Sequence, residues 1–478
     1  MRIAIRTDAS FEIGTGHVVR CLTLATQLRR RGAEVSFITS SGVGNLDDAI
    51  QAQGFLVTTA AAGEYDWMVF DHYGISADAE RRARDHARRI MVIDDLADRR
   101  HDCDLLLDQN LREDDGSYSG LVPASVPLLL GPRFALLREE FAAARVRARR
   151  RQSLRHLLVF FGGSDPTDET SKTLRALARA RLTDVRITVI VGASNPRAGQ
   201  VRALARDVAG CEVIGPTSEM ADLMIEADLA IGAGGTTSWE RCCVGLPALV
   251  VAVAVNQLEI ARLLDARGFH RYLGEHSRVS ERDVADAILA ARINFDDLSL
   301  RGERAMALVD GAGAKRVCAA MLGPSPPEAV ILRAATAADA AKLLAWRNDE
   351  HTRAASHSQE PVSAEQHAAW LVRSLANPRR RLYVAEHDGE PVGTVRADEE
   401  NGTWTLSWTV APAARGRGLA KHMVASLARE ITAPIRAEVK SGNAASARVA
   451  EHAGMRCAEQ IDDVRIFVRN FTCEKADS

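Results

Sequence analysis

Ile3-Ala4-Ile5-Arg6-Thr7-Asp8, then a short run to Ile13, then Gly14-Thr15-Gly16-His17-Val18-Val19-Arg20: an apolar strand enters a glycine turn and a helix opens directly behind it. Gly14 and Gly16 carry no Cβ, so backbone there can approach a ligand closely. His17 falls at or near the helix N-terminus, the setting in which a neutral imidazole serves as a general base. The same grammar repeats along the chain. A helix from Val18 to Arg31 stops at Gly32, and strands follow at Val35 to Ile38, Trp67 to Phe70, Ile90 to Ile93 and Leu105 to Leu107. Such alternation predicts a parallel, doubly wound sheet, with ligands beyond the C-terminal strand ends. Asp8, Asp71, His72, Tyr73, Asp94, Asp95 and Asn110 stand at those ends.

Past a basic, helix-like segment around Arg147 to Arg155 the pattern starts again. Leu157 to Phe161 runs into Gly162-Gly163-Ser164-Asp165-Pro166. Val185 to Val191 follows, and Leu229 to Ile231 enters Gly232-Ala233-Gly234-Gly235-Thr236-Thr237-Ser238-Trp239-Glu240. Successive small residues at a helix N-terminus offer amides and a favourable dipole to a diphosphate. Glu240, one turn in, is placed to accept from ribose hydroxyls, and Asn256-Gln257 follow the next strand, Ala248 to Val253. No Gly-Lys-Ser/Thr ends either turn and neither fits G-x-G-x-x-G, which excludes a Walker loop and a dinucleotide fingerprint. Tyr73 and Asp94 are expected at the sugar's polar groups, and Asn256 and Gln257 at the sugar or the diphosphate.

Leu322-Gly323-Pro324-Ser325-Pro326-Pro327 breaks the rhythm and reads as a semi-rigid linker. Beyond it an α+β pattern begins. A strand at Val330 to Arg333 precedes helices at Ala337 to Arg347 and Ala364 to Leu375. Strands follow at Leu382 to Glu386, Pro391 to Ala397, Thr403 to Val410 and Ile435 to Val439. Between the last two lies Arg415-Gly416-Arg417-Gly418-Leu419-Ala420, an arginine-glycine turn at a helix start, again suited to a pyrophosphate. The expected segments are 1–150, 151–320, a linker over 321–330, and 331–478.

Bulk properties agree with several soluble domains. The 478 residues are 46% hydrophobic, 26% charged and 5% aromatic with net charge -2, so nothing favours nucleic acid as partner. Arg147, Arg149, Arg150 and Arg151 read as a solvated helix face or linker. Eight cysteines without a C-x-x-C pair read as reduced thiols of a cytoplasmic protein, and no metal centre is expected. The longest apolar run, Leu246 to Val255, holds Pro247 and is too short for a membrane span.

Over about residues 1–320, Gly14 to His17, Asp71 to Tyr73, Asp94-Asp95, Leu130 to Pro132 with Leu137-Arg138, Gly162 to Pro166, Gly234 to Thr236 with Trp239-Glu240, and Asn256-Gln257 occur together, in order. They resemble the PseG-type UDP-sugar hydrolases of pseudaminic acid synthesis, relatives of the MurG-like glycosyltransferases. The resemblance implies a GT-B-like pair of doubly wound Rossmann-type domains. It also implies metal-free hydrolysis of UDP-2,4-diacetamido-2,4,6-trideoxy-β-L-altropyranose, with His17 as base and UDP held by Gly14, Gly16, Gly163, Ser164, Gly234, Gly235, Thr236 and Glu240. Over about 330–470, Arg415 to Ala420, Asn443 with Ser446, Gly454-Met455 and Trp346 to Asn348 resemble the RimJ/RimL-like branch of the GNAT N-acetyltransferases. That resemblance implies acetyl-CoA as co-substrate, bound by Val410, Arg415, Gly416, Arg417, Gly418, Leu419, Ala420, Asn443 and Ser446. Many of these enzymes carry a tyrosine as thiolate acid where this chain has Ala450, which leaves water, Ser446 or His452 for that role. Fusion to the hydrolase points to the 4-amino group of a UDP-sugar as acceptor, the step of PseH-type enzymes. The competing readings are a legionaminic-type or other UDP-sugar enzyme, a MurG-like glycosyltransferase, and a nucleotide-sugar sensor that acetylates a protein.

Overall fold

The computed structural model describes residues 1–9, 14–40, 45–114 and 116–470; the run ending at Ile13 and the thiol of Cys473 lie outside them. The chain divides into two compact units, Met1–Leu322 and Gly323–Ser478.

The first unit holds two parallel sheets. In chain order the first comprises β1 (Arg2–Thr7), β2 (Glu34–Ile38), β3 (Leu56–Thr58), β4 (Tyr65–Asp71), β5 (Ala87–Ile93), β6 (Leu105–Asp108) and β7 (Leu128–Leu130). Their spatial order is 3-2-1-4-5-6-7. The second comprises β8 (His156–Phe160), β9 (Arg186–Ile190), β10 (Cys211–Ile214), β11 (Leu229–Ala233), β12 (Ala248–Ala252) and β13 (Arg271–Glu275), in the order 10-9-8-11-12-13. The strand order reverses between β1 and β4 in one sheet and between β8 and β11 in the other. A crevice opens at such a switch point because the crossover helices leave to opposite faces. The turns after β1, β8 and β11 are the three glycine-rich turns of the sequence.

Strands such as β1, where Ile3, Ala4 and Ile5 are fully buried, read clearly as apolar runs. β3, β7, β10 and β13 did not, because each is a sheet edge with partly exposed side chains and so lacks the continuous apolar signature. The last helix, Gly313–Leu322, returns to the first sheet. Val317, Cys318 and Met321 join its core, and the Met321 carbonyl accepts from the Trp67 indole at 3.2 Å. Residues 321 and 322 therefore end a helix rather than begin a linker.

One basic residue departs from the expected solvated face. Arg151 is 2% exposed, and its guanidinium donates to the carbonyls of Ala227 (2.8 Å), Gly245 (2.7 Å) and Met224 (3.0 Å). These carbonyls belong to the C-terminal ends of the helices Met220–Glu226 and Thr237–Val244, which a cation satisfies well. Cys21, Cys103, Cys242, Cys243 and Cys318 are buried free thiols, whereas Cys211 is half-buried and Cys457 exposed.

The second unit is a mixed sheet of β14 (Ile331–Ala334), β15 (Arg380–His387), β16 (Glu390–Glu400), β17 (Thr403–Val410), β18 (Ile435–Lys440), β19 (Arg456–Ile461) and β20 (Val464–Arg469), ordered 14-15-16-17-18-20-19. The closing pair β19 and β20 was not anticipated; every residue of β19 is exposed at the sheet edge. β17 and β18 are parallel, and their pairing stops at Leu406–Ala437 although both strands run on. Among the described residues no helix is long and apolar enough to cross a membrane.

Candidate functional sites

In the first unit, Thr15 caps the helix Gly16–Arg30, which puts His17 in its first turn beside the end of β4. His17 Nδ1 lies 2.6 Å from Asp71 Oδ1. Burial alone would raise the Asp71 carboxyl, but the Arg20 charge and His17 hold it well below the usual carboxylate range. An ionised carboxylate only accepts, so Nδ1 carries a hydrogen, and in the neutral ring the lone pair is therefore on Nε2. Arg20, one turn further along the helix, grips Asp71 with both arms of its fork: Nε to Oδ2 at 2.7 Å and Nη2 to Oδ1 at 2.6 Å. Its Nη1 reaches Asp95 Oδ2 at 3.1 Å. The Tyr73 ring meets the His17 ring edge-on, with centroids 4.7 Å apart. Burial, and then the Asp95 charge, push the Tyr73 phenol well above its ordinary range.

The second sheet approaches this group closely. A Cβ on Gly163 would sit 2.8 Å from Thr15 Oγ1, and one on Gly16 would sit 3.4 Å from Thr236 Oγ1. Asn256 donates to the Tyr73 hydroxyl at 2.9 Å. Glu240 is buried beside Arg138, whose Nη2 is 3.5 Å from its Oε1; burial raises its carboxyl although Arg138 opposes this. Gly14, with φ of 81°, opens the first turn, and Ser164 is buried in the turn after β8.

In the second unit a cavity of about 1170 Å³ lies where β17 and β18 part company, lined among others by Trp408, Val410, Arg415, Ala420, Asn443 and Ser446. Gly416 (φ 78°) and Gly418 (φ 76°) adopt left-handed conformations that a side chain would strain, and Gly418 caps the helix Leu419–Glu430. The first amides of that helix have no intrahelical acceptor. Leu419 is in the core, so it has only its backbone to offer.

Residues 329–456 match the family described as an acetyltransferase (GNAT) domain. The spore coat polysaccharide biosynthesis protein SpsG of Bacillus subtilis is 26% identical over 340 residues, which is 67% of this chain and 97% of that protein. The UDP-2,4-diacetamido-2,4,6-trideoxy-beta-L-altropyranose hydrolase of Campylobacter jejuni is 25% identical over 279 residues, 56% of this chain and 98% of that one. Among solved structures, MurG of Acinetobacter baumannii covers 67% of this chain with a TM-score of 0.50 and 15% identity, a likeness of fold. The chain joins a homologue of the PseG-type hydrolase to a GNAT acetyltransferase domain. Its first unit has the GT-B-like architecture that the resemblance implied.

Within the hydrolase-like unit two expected site residues are engaged by the protein itself. Asp94 has no exposed side chain and accepts from Ala97 N (2.8 Å), Arg99 Nη1 (2.9 Å) and Tyr118 Oη (3.1 Å). It braces the loop after β5, while its neighbour Asp95 faces the cluster around His17. Gln257 Oε1 accepts from Gly234 N and Val253 N, both at 3.1 Å, so it ties the turn to the end of β12 and occupies the Gly234 amide. Gly235 and Thr236 remain at the helix start. In the GNAT domain the Arg415 guanidinium is committed to Asp349 and, at 3.0 Å, to Thr352 Oγ1. Arg417 reaches His387 Nδ1 at 3.1 Å. Asn443 Oδ1 caps the helix Ala444–His452 through Ser446 N at 3.0 Å. Ala450 is fully buried, and the His452 ring lies 5.2 Å from that of His422. Sequence reasoning passed over Arg20; an arginine one turn from His17 on an otherwise apolar helix face was the available signal.

Proposed function

We propose that the chain is a bifunctional nucleotide-sugar enzyme whose GNAT domain N-acetylates the 4-amino group of a UDP-linked amino sugar. Its first unit then hydrolyses the acetylated product to UDP and free sugar. The observation that carries the reading is the His17–Asp71 pair, 2.6 Å apart, at the switch point that faces the glycine turns of the second sheet. Asp71 fixes the tautomer, and His17 Nε2 takes a proton from water. The water oxygen bonds to the anomeric carbon as the bond to the diphosphate oxygen breaks, and that electron pair leaves with UDP. Amides of Gly235 and Thr236, with the neighbouring turn of Gly163 and Ser164 on the same sheet and Gly16 opposite, offset the growing diphosphate charge. Glu240 receives the ribose, and Tyr73 with Asn256 the sugar. No metal is required by these steps.

In the GNAT domain, acetyl-CoA places its pyrophosphate on the turn Arg415 to Ala420, chiefly through backbone amides. Its thioester lies along the side of β17 that β18 leaves unpaired, at Val410, beside Asn443 and Ser446. The parted strands, the left-handed glycines and the cavity suit that occupant. Acyl transfer then depends on positioning a neutral amine beside a polarised carbonyl. The Campylobacter jejuni relative, named for hydrolysis of the 2,4-diacetamido-trideoxy altropyranose nucleotide, supports that series as the sugar.

The deciding experiment incubates the full chain with UDP-4-amino-4,6-dideoxy-β-L-AltNAc, with and without acetyl-CoA, and follows UDP, CoA and sugar by mass spectrometry. UDP released only with acetyl-CoA, after CoA appears, is the expected result, and in ¹⁸O-water the label enters the free sugar. CoA release without UDP overturns the hydrolase assignment. UDP release at full rate without acetyl-CoA overturns the order of steps.

A further inference from the structure

The charges around His17 exceed what holding one imidazole requires. Arg20 is buried to 3% exposure, and a bidentate Asp71 alone would neutralise it. The structure adds a second carboxylate, Asp95, at 3.1 Å from Nη1 with its side chain 11% exposed. With His17 neutral, Arg20, Asp71 and Asp95 sum to one net negative charge in a site largely removed from water. An uncompensated buried charge is costly, and a proton arriving on His17 cancels it. Among the described residues the other titratable and charged groups near the ring are Cys21 on its own helix, His72 and Tyr73 after β4, and, beyond His72, Asp8 after β1, which is 3.2 Å from His72 Nε2 and is itself paired with Arg6 at 2.6 Å. The second sheet contributes Asn256 and Thr236.

We propose that Arg20 and Asp95 are positioning residues for His17: Arg20 clamps Asp71 against Nδ1, and Asp95 supplies the surplus negative charge that stabilises the imidazolium formed when Nε2 takes the water proton. The inference rests on the reading of His17 as base. Each charge then has a direction of effect. Loss of Asp95 weakens His17 as a base, and loss of the Arg20 charge strengthens its hold on a proton while releasing Asp71.

The test measures UDP release against pH for the full-length protein and for Arg20→Gln, Asp95→Asn and Arg20→Lys, with UDP affinity read by calorimetry. All three variants are expected to lose about tenfold or more in kcat. UDP affinity stays within about threefold, because neither residue meets the nucleotide. The acid limb of kcat moves down by about one pH unit in Asp95→Asn and up by about one in Arg20→Gln. Arg20→Lys keeps the charge and loses the fork, so kcat falls while the limb stays in place. A merely structural pair would not displace the two limbs in opposite directions. Limbs that stay put, or move together, overturn the proposal. Asp95→Asn is isosteric and carries the test if Arg20→Gln does not fold. Full UDP release by His17→Asn would instead overturn the underlying base assignment.

Discussion

The two units prepare for their reactions by different means. The hydrolase-like unit relies on side chains: His17, Asp71, Arg20 and Asp95 converge from a helix and two strand ends, held by bonds of 2.6 to 3.1 Å. The GNAT domain relies on backbone: β17 and β18 cease pairing after Leu406–Ala437, and two left-handed glycines shape the turn before a helix. Its Ala450 is fully buried where a tyrosine acid would be sought, and its Arg415 is spent on Asp349 and Thr352. The proposed chemistry accounts for the contrast. Water is a poor nucleophile and needs a base at a defined atom. A thioester is already activated, so dipoles and positioning do most of the work.

If that contrast holds, single substitutions divide the two activities. His17→Asn is expected to lower UDP release by about 10³-fold and leave acetyl-CoA-dependent CoA release unchanged, both read on the same sample. Asp71→Asn should follow at about 10²-fold, because an amide no longer dictates which ring nitrogen carries the hydrogen. Equal losses of both activities in either variant would mean that the units are not chemically separate. On the GNAT side, Gly418→Val forces a branched side chain into φ of 76°. Strain of about 1–3 kcal/mol predicts a rise in the KM for acetyl-CoA of about tenfold or more, with UDP release from pre-acetylated substrate unaltered.

The same contrast governs what could be read in advance. Glycine turns and strand-end acids are local signals, so Gly14 to His17, Gly234 to Thr236 and Arg415 to Ala420 were legible, and with them the architecture. The partners of each side chain were not. Asp71 and Asp94 end neighbouring strands in similar settings, yet one meets His17 and the other turns to Ala97, Arg99 and Tyr118. Which way a carboxylate turns depends on cations and amides brought by distant segments. Arg151, and Gln257 through Gly234, illustrate the same limit, since these partners lie at turns and helix ends well removed along the chain. Edge strands escaped because half-exposed residues dilute the apolar pattern.

The smallest effect expected is on stability, and it again separates the units. Two buried histidines of the first unit respond to pH in opposite ways. Burial alone would lower His101, but Asp94 and Glu80, the latter 2.8 Å from Nδ1, raise it to about 9 from 6.5. Burial depresses His270 to about 3 from 6.5, and its Nε2 bonds the Ala261 carbonyl at 2.8 Å. A raised basic group favours the folded state fully below its unfolded value, and that stability drains away as pH rises through about 9. For the depressed one, the unfolded chain gains a proton that the folded chain refuses, so stability falls as pH drops below about 6.5. The melting transition of the first unit should therefore be highest near pH 6.5, decline as pH rises toward about 9, and be a few degrees lower by pH 9.5. His101→Gln lowers the transition at pH 7 and flattens its alkaline side, leaving the acid side as it was. Calorimetry across pH 5 to 10, with CoA release marking the GNAT domain, separates the units. An alkaline side as steep in His101→Gln as in the parent would remove His101 from the account and place the loss in another group of the first unit.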